Sequence, residues 1–330
     1  MSTLAPTLEA FFTERLLAQR RASPRTVAAY RDSFRLLLNF VHERIGKAPS
    51  QLDIADLDAP LIGAFLNWLE YDRQNGVRTR NARLAAIHSL FRYASLLHPE
   101  HADVIRRVLT IPAKRYERTT VDFLNQNEID ALLAAVDRSK WIGRRDYALL
   151  VLAIQTGLRI GELTGLVVGD LKLARPGAHV RCHGKGRKQR ATPLTAQTVA
   201  VLCVWLRERG GCHTDPAFPT IRGGPLSSDA VQRLLAKYVS LAARNCPSLC
   251  HKKVSPHTLR HSCAMNLLHS GVDSSVIALW LGHESVQTTQ IYIHADMAIK
   301  EKAISLTAPS NTKPGRYRPP DKLLAFLEAL

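Results

Sequence analysis

Four short stretches beyond residue 155 carry side chains suited to cleaving a phosphodiester. "TGLRIGEL" holds Arg159 and Glu162, and "HGKGRKQR" holds Lys185. "SPHTLRHS" holds His257 and Arg260, and "LGHESVQTTQIYIH" holds His283 and Tyr292. Negative charge spreads over the non-bridging oxygens in the transition state, so fixed cations are needed. Planar guanidinium forks match that geometry better than ammonium groups do. A nucleophile must lose a proton and the departing alkoxide must gain one. A phenol with an ordinary pKa near 10 is a weak nucleophile alone, so Tyr292 needs neighbours to activate it. Taken by itself, a tyrosine between Ile291 and Ile293 reads as a packed aromatic.

The elements that would place these groups are partly legible. Arg159 follows a glycine turn, with Glu162 one helical turn later. His257 and Arg260 are three residues apart on one helix face, after a Ser-Pro start. "GAHVRCHGKGRKQRATPLT" alternates on either side of "GKG" and predicts a β-hairpin with Lys185 at its tip, followed by Arg187 and Lys188. "LVVGDLKL" is a candidate third strand, and helices are expected from Thr195 onward. The first hundred residues read as helices only. Ser23 caps a helix whose first position is Pro24, and Asn125 with Glu128 forms a capping pair for another.

Bulk composition points the same way. Lys and Arg number 45 against 28 Asp and Glu, a formal +17 that implies a polyanionic partner, nucleic acid or anionic membrane. The longest apolar run, Ala148 to Ile154, is far shorter than the roughly 20 residues a spanning helix needs. The N-terminus lacks a signal-peptide pattern, and six cysteines then read as reduced thiols in a cytoplasmic protein. Cys212–His213 and Cys246, Cys250, His251 lack the paired spacing of zinc sites, so no metal is expected.

In order and spacing, Arg159, Lys185, His257, Arg260, His283 and Tyr292 resemble the active-site set of the tyrosine recombinases, the phage integrase, Xer and Cre family. The resemblance runs over about residues 5 to 305. It implies a mostly α protein with a small β-sheet (α+β), in which a helical core-binding domain and a catalytic domain form a clamp on DNA. The domain expectation is 1–110 for core binding, a basic linker at 111–122, a catalytic domain at 123–306, and a C-terminal extension at 307–330.

The same resemblance implies roles. Arg159 and Arg260 would clamp the scissile phosphate, and His283 would hydrogen-bond it. Lys185 would protonate the leaving 5′ oxygen, and His257 would assist proton transfer at Tyr292. Tyr292 would attack to give a 3′-phosphotyrosyl link without ATP, metal or cofactor. Glu162 is expected to orient rather than react, and His261 and His294 to be structural or supporting groups.

Candidate DNA contacts are Arg25, Arg78, Arg80, Arg83, Lys114, Arg115, Arg187 and Lys188. Arg78, Arg80 and Arg83 lie near a helix start, where the dipole also favours phosphate. The expected partners are double-stranded recombination sites and further copies of this chain, four on two paired sites. The terminal "DKLLAFLEAL" has an apolar stripe and is too short to be stable alone, so it should dock, either on its own protomer or on a neighbouring one. That extension favours a mobile-element recombinase over a compact Xer-like resolvase. A type IB topoisomerase and a catalytically silent DNA-binding regulator are the alternatives, and Tyr317 is a rival nucleophile by residue type only.

Overall fold

The computed structural model describes residues 4–116, 121–174, 176–183 (backbone alone at 183) and 189–282. The chain divides into two compact units, Met1–Arg118 and Thr119–Leu330.

The first unit has helices and connecting loops and no strand among its described residues. Helix α1 (Leu4–Ala10) runs into a π-helical stretch, Phe11–Gln19. It is followed by α2 (Pro24–Ile45), α3 (Ala59–Tyr71), α4 (Val77–Ala94) and α5 (Ala102–Leu109). The start of α2 is set by Ser23, whose hydroxyl accepts the Thr26 N–H at 3.2 Å, with Pro24 at the first position. Phe34, Leu37, Phe40 and Val41 recur at helical spacing and face the core. There they meet Phe65 and Leu66 of α3 and Ile87, Leu90 and Phe91 of α4.

The second unit is built around α7 (Trp141–Thr156), whose Ala148, Leu149, Leu150 and Leu152 are buried. Packed with it are α6 (Gln126–Ala134), α9 (Ala196–Arg209) and α10 (Ser228–Ala242), in one core with the sheet residues Val180 and Cys182. The Asn125–Glu128 capping box forms at the head of α6 as the sequence implies. A short α8 (Ile160–Thr164) precedes the sheet. Strands β1 (Leu171–Lys172), β2 (His179–His183) and β3 (Gln189–Pro193) pair antiparallel in that order.

Two expectations are trimmed. The third strand shrinks to two residues, because Val168–Asp170 forms a 3-10 turn in which the Asp170 carboxylate accepts the Val167 N–H at 3.0 Å. Helix does not run unbroken from Thr195. Gly210 and Gly211 take positive φ, and residues up to Ser227 form a proline-punctuated loop with isolated bridges at Pro216 and Pro219–Pro225.

The described chain ends with α11 (Pro256–His269) and α12 (Ser274–Leu281), joined through Cys263, Ala264, Met265, Ile277 and Leu281. Gly157, which ends α7, fixes how close this pair can come. Its φ is +61°, and a Cβ there would lie 2.7 Å from Leu281 and 3.2 Å from Cys263. Only glycine meets both demands.

Candidate active site

Three arginines converge on the C-terminal end of α12. The last carbonyls of a helix lack intrahelical donors and sit at the negative end of its dipole, so guanidinium groups are favourable partners there. Arg190 Nε donates to the Trp280 carbonyl at 3.2 Å. Arg260 Nη2 donates to Leu281 at 2.6 Å, and Arg159 Nη2 to Gly282 at 2.8 Å. Three successive carbonyls are thus each held by a different arginine, from β3, α11 and the cap of α8.

Each arginine is also fixed from its other side. Arg260, 4 % exposed, donates from Nη1 to the Gly157 carbonyl at 2.6 Å, so α7 and α12 together set its place. Arg159 stands at the N-cap of α8. Its backbone N–H donates to Glu162 Oε2 at 2.8 Å, and its Nη1 to Glu162 Oε1 at 3.1 Å. Arg190 lays Nη1 and Nη2 on the two Glu162 oxygens at 2.8 and 2.7 Å. Burial alone would raise the Glu162 carboxyl. The Arg190 hydrogen bonds, the Arg159 N–H and both positive charges outweigh that and hold it below the usual carboxylate range.

His257 lies in the first turn of α11, exposed, one turn before Arg260. Its ring stacks at 6.3 Å on that of His261. Burial, then the nearby His257 and Arg260, depress the His261 imidazole to about 4. His261 is therefore neutral at physiological pH and unsuited to donating a proton as imidazolium. Lys185, Arg187, Lys188, His283, Tyr292, His294 and Tyr317 lie outside the described residues, as does the C-terminal extension. The pairing of β2 with β3 is described up to His183 opposite Gln189, and α12 ends at Leu281, two residues before His283.

Arg190 is absent from the residues that motif reading selects. Its signal is the strand period. Along β3, Arg190 and Thr192 turn toward the interior while Gln189, Ala191 and Pro193 face out. An inward cation demands a buried carboxylate, which Glu162 supplies.

In the first unit the candidate DNA contacts separate. Arg25, Arg78 and Arg115 are exposed, and Arg78 lies over the Tyr116 ring at 5.0 Å. Arg80 does not fit the expectation. It is 6 % exposed, 3.9 Å from Glu70, and donates to Asn81 Oδ1 and the Pro112 carbonyl at 3.1 and 3.3 Å. That side chain ties the 112–114 segment to α3 and α4, and its charge is met by the Glu70 carboxylate rather than left for a phosphate. Lys114 is exposed but also paired with Glu70, at 2.5 Å. Arg83 is half-buried, and its Nη1 has no hydrogen-bond partner. Burial, then Arg73, lowers its pKa.

Among the described residues, no group of three or more His, Cys, Asp and Glu side chains is placed to hold a metal ion. No helix among them is long and apolar enough to cross a membrane.

Comparison with known proteins shows the family of the chain. The model of the phage integrase family matches residues 122–298, and that of the phage integrase N-terminal SAM-like domain matches residues 10–96. The provisionally named integrase/recombinase y4rC of Sinorhizobium fredii is 54 % identical over 329 residues, covering 100 % of this chain and 99 % of its own. The tyrosine recombinase XerC of Pelobacter propionicus is 33 % identical over 287 residues, covering 87 % of this chain and 90 % of its own. The fold is that of the XerH site-specific recombinase bound to a palindromic difH substrate. That match has a TM-score of 0.70 at 24 % identity, over 87 % of this chain and 81 % of that one. The chain belongs to the phage integrase family and is a tyrosine-type site-specific recombinase.

Proposed function

We propose that the chain cuts and rejoins double-stranded DNA at specific sites through a covalent 3′-phosphotyrosyl intermediate on Tyr292, with a Holliday junction between two paired sites. The observation that carries this reading is the placement of Arg159 and Arg260. Two separate helices bring these guanidiniums to adjacent carbonyls, Gly282 and Leu281, immediately before His283 in the chain. Two guanidiniums fixed on adjacent carbonyls put positive charge in place before the charge on a phosphate develops, which is where most catalytic stabilisation arises.

In the proposed reaction the Tyr292 oxygen bonds to phosphorus as the 5′ oxygen departs, with His257 assisting loss of the phenol proton. Lys185 protonates the leaving oxygen, and His283 joins the arginines on the non-bridging oxygens. Phosphodiester energy is retained in the phosphotyrosyl bond, so resealing needs neither ATP nor metal. Four protomers act on two sites, both units of each protomer contact DNA, and the C-terminal extension of 307–330 docks on a neighbour. Action on chromosomal or mobile-element DNA in the cytoplasm follows from this reading.

A library of nicked duplexes with randomised sequence tests it. Wild-type protein should yield an SDS-resistant protein–DNA adduct enriched in one sequence, and Tyr292→Phe should yield none. No wild-type adduct, or equal adduct from Tyr292→Phe, would remove the proposal.

A further inference from the structure

We propose that Arg190 is a positioning residue for strand cleavage, one that sets both the orientation and the effective charge of Arg159 through Glu162. The inference rests on the recombinase reading above and adds to it a residue outside the six-residue set.

Geometry is the first argument. Glu162 is the group that fixes Arg159, accepting from both its backbone N–H and its Nη1. A carboxylate can rotate about its terminal torsion, and the Arg190 fork on both oxygens removes that freedom. Arg190 also holds the Trp280 carbonyl, next to the carbonyls that hold Arg260 and Arg159. One guanidinium therefore touches both supports of the phosphate-binding pair. Gly282 allows it to lie flush against the end of α12. Its φ is +65°, and a Cβ there would be 2.8 Å from Arg190 Nη1.

Charge is the second argument. Glu162 alone would neutralise the field that Arg159 presents to a phosphate. With Arg190 on the far side, two guanidiniums share one carboxylate, and a net positive charge remains facing the site. In this enclosed setting that difference is weakly screened. The Arg190 side chain is only 14 % exposed and the Glu162 side chain 5 %, whereas that of Arg159 is 35 % exposed. Arg159 is thus the member able to meet DNA, and Arg190 acts behind it.

An ordinary structural ion pair would predict something different, and the nature of the substrate separates the two. Replacing one non-bridging oxygen of the scissile phosphate by methyl removes the charge that Arg159 must compensate. The test uses full-length protein and the nicked duplex recovered from the library, as phosphodiester and as methylphosphonate. With the phosphodiester at saturating DNA, Arg190→Ala should slow adduct formation about 100-fold. DNA affinity should stay within about threefold, so the loss lies in the chemical step. On the methylphosphonate the deficit should shrink to about fivefold or less. Adding Glu162→Gln to Arg190→Ala should recover part of the loss on phosphodiester, because the uncompensated carboxylate is then gone.

An equal deficit on both substrates, or no deficit, would overturn the inference. If Arg190→Ala does not fold, Arg190→Lys carries the same test. It keeps the charge but loses the fork, so its smaller deficit must also shrink on the methylphosphonate. A wild type that forms no adduct would sink the recombinase reading itself; a reactive wild type with an unaffected Arg190→Ala would sink this inference alone.

Discussion

Arg260 reaches the carbonyl of Leu281 at 2.6 Å with one guanidinium nitrogen while its other terminal nitrogen holds Gly157. The side chain is therefore a cross-brace between the ends of two helices as well as a candidate phosphate ligand. Lysine offers one point charge and cannot span both carbonyls. Arg260→Lys should lower the single-turnover rate of adduct formation by about 100- to 1000-fold. A thermal melt should also show some loss of stability. A rate within a few-fold of wild type would remove Arg260 from the clamp.

Gly157 is predicted to be intolerant for two separable reasons. Its left-handed backbone penalises any side chain, and a Cβ would collide with Leu281 at 2.7 Å. Gly157→Ala should cost about 2–4 kcal/mol, combining backbone strain with overpacking. Urea denaturation of the variant should show a lower midpoint with an unchanged slope. A midpoint equal to wild type would mean that α12 can move away freely.

The second unit should lose stability in mild acid through His261. Burial holds its folded pKa near 4, whereas an unfolded histidine titrates near 6.5. Above pH 6.5 both states are neutral and the group contributes no pH dependence. As pH falls from about 6.5 to about 4 the unfolded chain binds a proton that the folded one refuses. Stability then drops, by up to about 3 kcal/mol. His261→Asn should flatten this part of the profile relative to wild type. Parallel profiles for the two proteins between pH 6.5 and 4 would contradict the assignment.

Glu128 is predicted to matter beyond its cap. Its carboxylate is buried, and it takes hydrogen bonds from Lys252 Nζ and Ser248 Oγ, both at 2.7 Å. The same residue thereby fastens the segment that leads into α11. Glu128→Ala leaves a half-buried ammonium without its counter-ion and should cost about 2–4 kcal/mol. Chemical denaturation of Glu128→Ala measures this, and a cost below about 1 kcal/mol would mean the pair contributes little.

What the sequence disclosed and what it hid divide along the range of the interaction. The starts of α2 and α6 were legible because Ser23, Asn125 and Glu128 act on groups three residues away. The hairpin strands were legible because alternation is local. Arg159, Glu162 and Arg260 were legible as a set through their resemblance to a known family. Arg190 was not, because its partners Glu162 and Trp280 are 28 and 90 residues away and its neighbours in "GKGRKQR" look like one basic tip. Arg80 misled for the same reason: a cation near a helix start suggests phosphate, and its actual neighbours, Glu70 and Pro112, become adjacent only on folding.

The most direct test of the central claim is to identify the attacked residue chemically. Adduct formed on the nicked duplex should be trimmed with nuclease, digested with trypsin and sequenced by mass spectrometry. A residual nucleotide should appear on Tyr292, in the peptide that begins after Arg260. Nucleotide mass on the peptide containing Tyr317, or on no tyrosine at all, would contradict the account.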